Sequence, residues 1–124
     1  EASNVVKVAK WSGSLYFANA AYFETKLLEL IAKNNEELKY IIVDVASIVQ
    51  VDATGEQVLS GLVETCSNSG VEILFARTER LEAELFRSGF KKRFGDNRFF
   101  DLRADALKYV WQELEDSNNE VEQQ

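Results

Sequence analysis

The residues with the clearest capacity for chemistry are Asp52-Ala53-Thr54-Gly55-Glu56-Gln57, where an apolar segment gives way to a helical pattern. A helix starting here turns free backbone N–H groups and the positive end of its dipole outward, which suits an anion or an acidic partner. The Thr54 hydroxyl adds a hydrogen-bonding group and a candidate phosphate acceptor. A simpler role comes first, because capping boxes are common. Thr54 as N-cap with Gln57 three positions on completes a Ser/Thr-x-x-Glu/Gln box, which contributes ~1 kcal/mol. Gly55 permits close backbone approach, and Glu56 places its own charge at the favourable end of the dipole, where phosphate would meet repulsion.

Two further groups could do chemistry. Asp44 interrupts an apolar strand pattern, and a buried carboxylate needs a hydrogen-bond partner or its pKa rises. The ordinary reading is a strand-end residue bonding a turn. Pairing with Asp52 for acid/base work is conceivable, but no nucleophile, metal-ligand spacing or glycine-rich phosphate loop accompanies it. The segment "FKKRFGDNRFFDLR" sets Lys91, Lys92, Arg93, Arg98 and Arg103 among Phe90, Phe94, Phe99 and Phe100. Such a basic patch could lie on anionic lipid headgroups at ~1 kcal/mol per basic residue, or dock an acidic protein. The plainer reading keeps the phenylalanines in the core and the charges in water.

Composition narrows these options. The chain has 124 residues and a net charge of −7, with no histidine and one cysteine, Cys66. One domain fits that length. Histidine relays, Cys/His nucleophile pairs and ordinary zinc sites are excluded, and no metal site is expected. The acidic balance argues against a nucleic-acid partner, whose affinity rests on a basic face. A single cysteine fits a reducing compartment. No apolar run approaches the ~18 residues of a membrane span, and no signal peptide is recognisable. The absence of methionine, residue 1 included, is expected of a piece excised from a longer chain.

The elements that must position these residues follow from periodicity. Residues 5–11 alternate in part and predict a first strand, ending at Ser12-Gly13-Ser14. Leu15-Tyr16-Phe17 reads as a short second strand. A helix then runs from Asn19 as N-cap through Phe23, Leu27, Leu28 and Ile31. Tyr40-Ile41-Ile42-Val43-Asp44-Val45 is the pattern of a central strand covered on both faces. Val58, Leu59, Leu62, Val63 and Cys66 stripe a second helix, closed by Asn68-Ser69-Gly70. Residues 71–76 predict another strand, and Thr78 caps a short helix with Leu81, Leu85 and Phe86. Arg98-Phe99-Phe100 suggests an edge strand, and Leu107, Val110, Trp111 and Leu114 stripe a last helix. Cys66 and Trp111 are both expected in the core. The closing "DSNNEVEQQ" has too little apolar content to pack, so a domain over 1–116 and a mobile acidic tail over 117–124 are expected.

Three segments resemble the STAS domain, the module shared by anti-sigma factor antagonists and the cytoplasmic ends of SulP sulfate permease-type anion transporters. They are "SLYFANAAYFETKLLELI", "IIVDVASIVQVDATG" and "RSGFKKRFGDNRFFDLRADAL", and the likeness spans residues 5–114. The Leu-Tyr-Phe-Ala-Asn-Ala run is the most discriminating and is similar to the transporter branch. The resemblance implies an α/β fold with a small mixed four- to five-stranded sheet and helices packed mainly on one face. It implies a non-catalytic regulatory or assembly domain at the cytoplasmic face of the inner membrane, serving a transporter of sulfate or bicarbonate class. The implied partners are the transporter's transmembrane part, a cytosolic regulatory protein and a second copy of the domain. The alternative is a freestanding anti-sigma factor antagonist acting by partner switching. In that branch the residue after the aspartate is the serine that a kinase phosphorylates; here it is Ala53, which has no hydroxyl. Thr54 is then the candidate for phosphorylation. Asp52, Ala53, Thr54, Gly55 and Gln57 are the partner- or nucleotide-binding candidates, and Lys91, Lys92, Arg93 and Arg98 the basic patch. No cofactor is implied beyond a nucleotide at that corner, and catalysis, which would need Asp44 or Asp52, is not expected.

Overall fold

A computed structural model describes residues 5–11, 17–33, 37–48, 51–79, 81 and 89–123. Strands and helices alternate: β1 (Val6–Lys10), α1 (Phe17–Lys33), β2 (Tyr40–Asp44), α2 (Ala53–Asn68) and β3 (Glu72–Ala76). A short helix α3 (Phe90–Phe94), a 3-10 turn (Asp96–Arg98), β4 (Phe99–Phe100) and α4 (Arg103–Gln123) complete the order. The sheet runs β1-β2-β3-β4, and every described ladder is parallel. This is an α/β fold with a four-stranded sheet, as expected.

The strand sequence explains the layering. Side chains alternate across a strand, so Ile41 and Val43 face one layer while Ile42 faces the other. The first layer holds Phe23 and Leu27 of α1, Leu59, Leu62, Val63 and Cys66 of α2, and Phe90 of α3. The second holds Val6, Leu74, Ala76 and, from α4, Ala106 and Val110. Among the described residues, α1, α2 and α3 therefore cover one face and α4 covers the other. Both faces of β2 are dry, which is why its sequence reads as a continuous β-branched run rather than an alternation. Phe90 anchors α3 by meeting Phe75 edge-on, with ring centroids 6.0 Å apart.

Several local expectations are corrected. Phe17 belongs to α1, and Asn19 lies inside that helix rather than capping it. The alanines at 18, 20 and 21 favour continued helix. Leu15 and Tyr16, the rest of the expected second strand, lie outside the described residues, as do Leu85 and Phe86 of the expected Thr78-capped helix. Within that stretch the Leu81 N–H donates to the Thr78 carbonyl at 2.9 Å, and both residues are buried. Cys66 is buried, as expected, but Trp111 is 40 % exposed. One residue turns a helix by about 100°, so with Ala106 and Val110 aimed at the sheet Trp111 is rotated off the contact. α4 continues to Gln123 and takes in 117–123, so the backbone of the expected tail is helical. Propagating a helix already nucleated on the sheet costs little.

Candidate functional site

The carboxyl end of β2 carries the loop that leads to the corner at residues 52–57, beside the carboxyl end of β3. Asp44, the last residue of β2, is fully buried. Its Oδ1 accepts the Ala46 N–H at 2.9 Å, which fixes the first bend of that loop. Its Oδ2 accepts from Arg103 Nε at 2.6 Å and from Arg77 Nη1 at 3.5 Å. Burial pushes the Asp44 carboxyl up, but the Ala46 N–H and the Arg103 and Arg77 guanidinium groups outweigh it, and the pKa lies below its ordinary value. The expected strand-end role is therefore correct. With both oxygens engaged, this carboxylate is poorly placed to serve as half of an acid/base pair with Asp52.

The corner differs from the expected capping box. Asp52, not Thr54, is the N-cap: its backbone is extended, and its Oδ1 accepts the Gly55 N–H at 2.7 Å. Aspartate caps at least as well as threonine and adds a charge that favours the helix dipole. Thr54 consequently occupies the second helical position and is half-buried. Ala53 and Gln57 are exposed, Asp52 is half-buried and Gly55 is buried.

Arg93 joins the corner to the basic segment. Its Nη2 donates to Glu56 Oε1 at 3.2 Å and to Ser60 Oγ at 2.6 Å. Its guanidinium carbon also lies 5.1 Å from the Phe94 ring centroid. The Glu56 charge at the helix start is thus paired. Arg98 is turned inward, its side chain only 16 % exposed, donating to Glu72 Oε1 at 2.8 Å and to the Ile73 and Phe94 carbonyls. Lys91 Nζ stands 5.6 Å from the Phe99 ring centroid, and Lys92 is exposed. Arg98 is thus separated from the other three basic residues: it belongs to the sheet, whereas Lys91, Lys92 and Arg93 are neighbours on α3, with Arg93 reaching the corner.

Sequence reasoning did not single out Arg77, or Arg103 as a partner of Asp44. The signal was indirect: a buried aspartate requires a donor. Which arginines supply it depends on the placement of β3 and α4 beside β2, which local patterning does not specify. Among the described residues no group of His, Cys, Asp or Glu is arranged to hold a metal ion. No helix there is long and apolar enough to cross a membrane.

Fold and corner together define a small α/β domain that displays a capped helix start at the carboxyl edge of its sheet, braced by a buried ion-paired carboxylate. The chain matches the STAS domain family over residues 1–106 and belongs to that family. A sulfate transporter family protein from Wolinella succinogenes superposes with a TM-score of 0.77 at 29 % identity, covering 89 % of this chain and 88 % of that one. The SulP transporter STAS domain from Vibrio cholerae gives 0.71 at 22 % identity, covering 90 % and 84 %. The murine Solute Carrier 26 family member A9 anion transporter gives 0.72 at 22 % identity, covering 87 % of this chain and 18 % of that protein. No curated protein sequence matches the chain.

Proposed function

We propose that the chain is the cytoplasmic STAS domain of a SulP-type inorganic anion transporter, of sulfate or bicarbonate class. It acts as a non-catalytic module in assembly and regulation of the membrane part. The observation that carries this reading is the likeness to the Wolinella succinogenes protein over 89 % of the chain. The Leu-Tyr-Phe-Ala-Asn-Ala segment supports the same branch. The corner at residues 52–57 is the docking surface, offering the exposed Ala53 and Gln57 beside the Arg93–Glu56 pair to the transmembrane part or a regulatory protein. Ala53 leaves the antagonist's phosphorylated position without a hydroxyl, and Thr54, half-buried within the first turn, is a poor substitute.

The test is anion uptake. The transporter carrying this domain, reconstituted in lipid vesicles, should show several-fold altered uptake of labelled sulfate or bicarbonate when Ala53→Arg and Gln57→Arg are combined, while the isolated domain keeps its circular dichroism. Unchanged uptake would remove the corner from the proposed role. Capture of an anti-sigma kinase by the chain would favour the antagonist reading. Millimolar GTP or ATP should leave the amide shifts of residues 52–57 unmoved; saturable shifts there would add a nucleotide to the site.

A further inference from the structure

At the opposite, amino end of the sheet lies a cavity of about 220 Å³ that the corner does not touch, lined by Tyr40, Glu72, Asn97, Arg98, Tyr109 and Glu113. Tyr40 opens β2, Glu72 opens β3, Asn97 and Arg98 precede β4, and Tyr109 and Glu113 come from α4. Tyr109 and Glu113 are four residues apart and so share a face of that helix.

Charge within the cavity is unbalanced. Glu72 is satisfied by Arg98 at 2.8 Å and by the Ser67 hydroxyl at 2.8 Å. Arg98 also donates from Nη1 to the Ile73 carbonyl at 3.0 Å and from Nε to the Phe94 carbonyl at 3.3 Å. The two charges cancel. Asn97 Nδ2 donates to the Tyr109 hydroxyl at 3.5 Å. Glu113 is left, and among the described residues no cation pairs with it. A half-buried carboxylate lining one cavity with two tyrosines is the chemistry that recognises an ammonium group: the carboxylate supplies the counter-charge, and a phenol ring can supply the negative face of its quadrupole. An anion would be repelled, and a purely apolar ligand would strand the carboxylate. A cavity of this volume has room for a short amine.

We propose that this cavity binds a small alkylammonium cation, with Glu113 as its counter-ion and the rings of Tyr40 and Tyr109 as its walls. The electrostatics agree. Both phenol pKa values are raised, by burial first and by Glu113 next, so the two hydroxyls share the field of the one unpaired carboxylate.

The test is titration of the ¹⁵N-labelled protein with propylammonium chloride against sodium chloride at equal ionic strength. Saturable shifts confined to residues 40, 72, 97, 109 and 113 are expected, with millimolar half-saturation. Glu113→Gln should weaken binding at least tenfold, whereas Glu115→Gln, at an exposed position on the same helix, should bind as the parent does. Tyr109→Phe keeps the ring and should still bind. Nα-acetyl-lysine amide separates the two sources of an ammonium group: binding of propylammonium alone assigns a free amine, and equal binding of both assigns a protruding lysine. Shifts that fail to saturate, that sodium chloride reproduces, or that survive Glu113→Gln in a folded spectrum overturn the proposal. Tyr109→Leu removes the ring and should weaken binding; undiminished binding in that variant would overturn the role of the ring.

Discussion

The two ends of the sheet solve the same electrostatic problem in opposite ways. At the carboxyl end the carboxylate is buried and the arginines face solvent: Asp44 is fully enclosed, while the Arg77 and Arg103 side chains are 51 % and 44 % exposed. At the amino end the arginine is the enclosed partner, with Arg98 16 % exposed and Glu72 38 %. α4 connects them. From Arg103 to Glu113 it rises about 15 Å, close to the roughly 16 Å length of a five-residue strand, so one helix delivers a cation to one end and an anion to the other. The inversion leaves an excess positive charge around Asp44 and an excess negative charge around Glu72. A buried charge is costly to orphan, whereas a half-exposed one can return to water. The two ends should therefore respond very differently to removal of their carboxylates.

The largest effect is expected from Asp44→Asn, which takes the counter-charge from two arginines and leaves one acceptor oxygen where two now serve the arginines and the Ala46 N–H. A loss of about 3 kcal/mol is expected in urea unfolding, against about 1 kcal/mol for Glu72→Gln, whose carboxylate is already partly hydrated. Equal losses would mean that enclosure is not what separates the two ends. The pH dependence should follow the same division. The folded pKa of Asp44 is lowered, so its contribution is complete above the ordinary carboxylate value of about 4 and is lost as pH falls through the folded value. Asp44→Asn should flatten the acid limb of a stability-against-pH curve. Glu72→Gln should leave that Asp44-dependent fall in place.

Next in size is Arg98→Ala, expected to cost about 2 kcal/mol, because it unpairs Glu72 and frees two carbonyls that the guanidinium now satisfies. Arg103→Ala should cost less, about 1 kcal/mol, since its guanidinium is nearly half exposed and Arg77 remains beside Asp44. If Arg103→Ala proved the more damaging, the inversion between the two ends would be wrong.

How much of this was legible in the sequence depends on the range over which each residue's partners act. β2, β3 and α2 were readable because their side chains are sorted by the sheet face they occupy, and a run such as Ile41-Ile42-Val43 has few alternatives. Asp44's need for a donor was readable from the cost of burying a carboxylate; its arginines were not, being 33 and 59 residues distant. The cap was misplaced by two residues because Asp52 and Thr54 are both good caps, and the choice falls to how the loop from Asp44 enters the helix. Trp111 was misread because a stripe drawn from spacing alone does not say where the sheet contact ends. The basic segment was divided for a similar reason: Arg93 is drawn to Glu56, Arg98 to Glu72 and Lys91 to the Phe99 ring, while Lys92 is exposed. The corner was therefore visible as a place, but its bracing was not.

The capping difference gives a smaller, sharper test at the carboxyl end. Asp52→Ala removes the acceptor of the Gly55 N–H and should cost about 1 kcal/mol, whereas Thr54→Ala, inside the first turn, should stay within about 0.5 kcal/mol. Reversal of that order would restore Thr54 as the cap.

The smallest effect is expected at Arg77, where two contributions oppose each other. Its backbone is left-handed, with φ of 59°, a conformation that costs a residue bearing a Cβ about 1 kcal/mol and costs glycine almost nothing. Its N–H donates to the Phe100 carbonyl at 2.8 Å, which ties the end of β3 to β4 and holds the backbone in place. Against that strain stands a 3.5 Å ion pair to Asp44 from a half-exposed side chain, worth about 0.5–1 kcal/mol. Arg77→Gly surrenders the pair and the strain together and should be nearly neutral. Arg77→Ala surrenders the pair and keeps the strain, so it should be less stable than the glycine variant by about 1 kcal/mol. If alanine equals glycine, the strained backbone is not part of what the carboxyl end costs. If both variants lose as much as Asp44→Asn, Arg77 rather than Arg103 is the partner that keeps the buried charge in place.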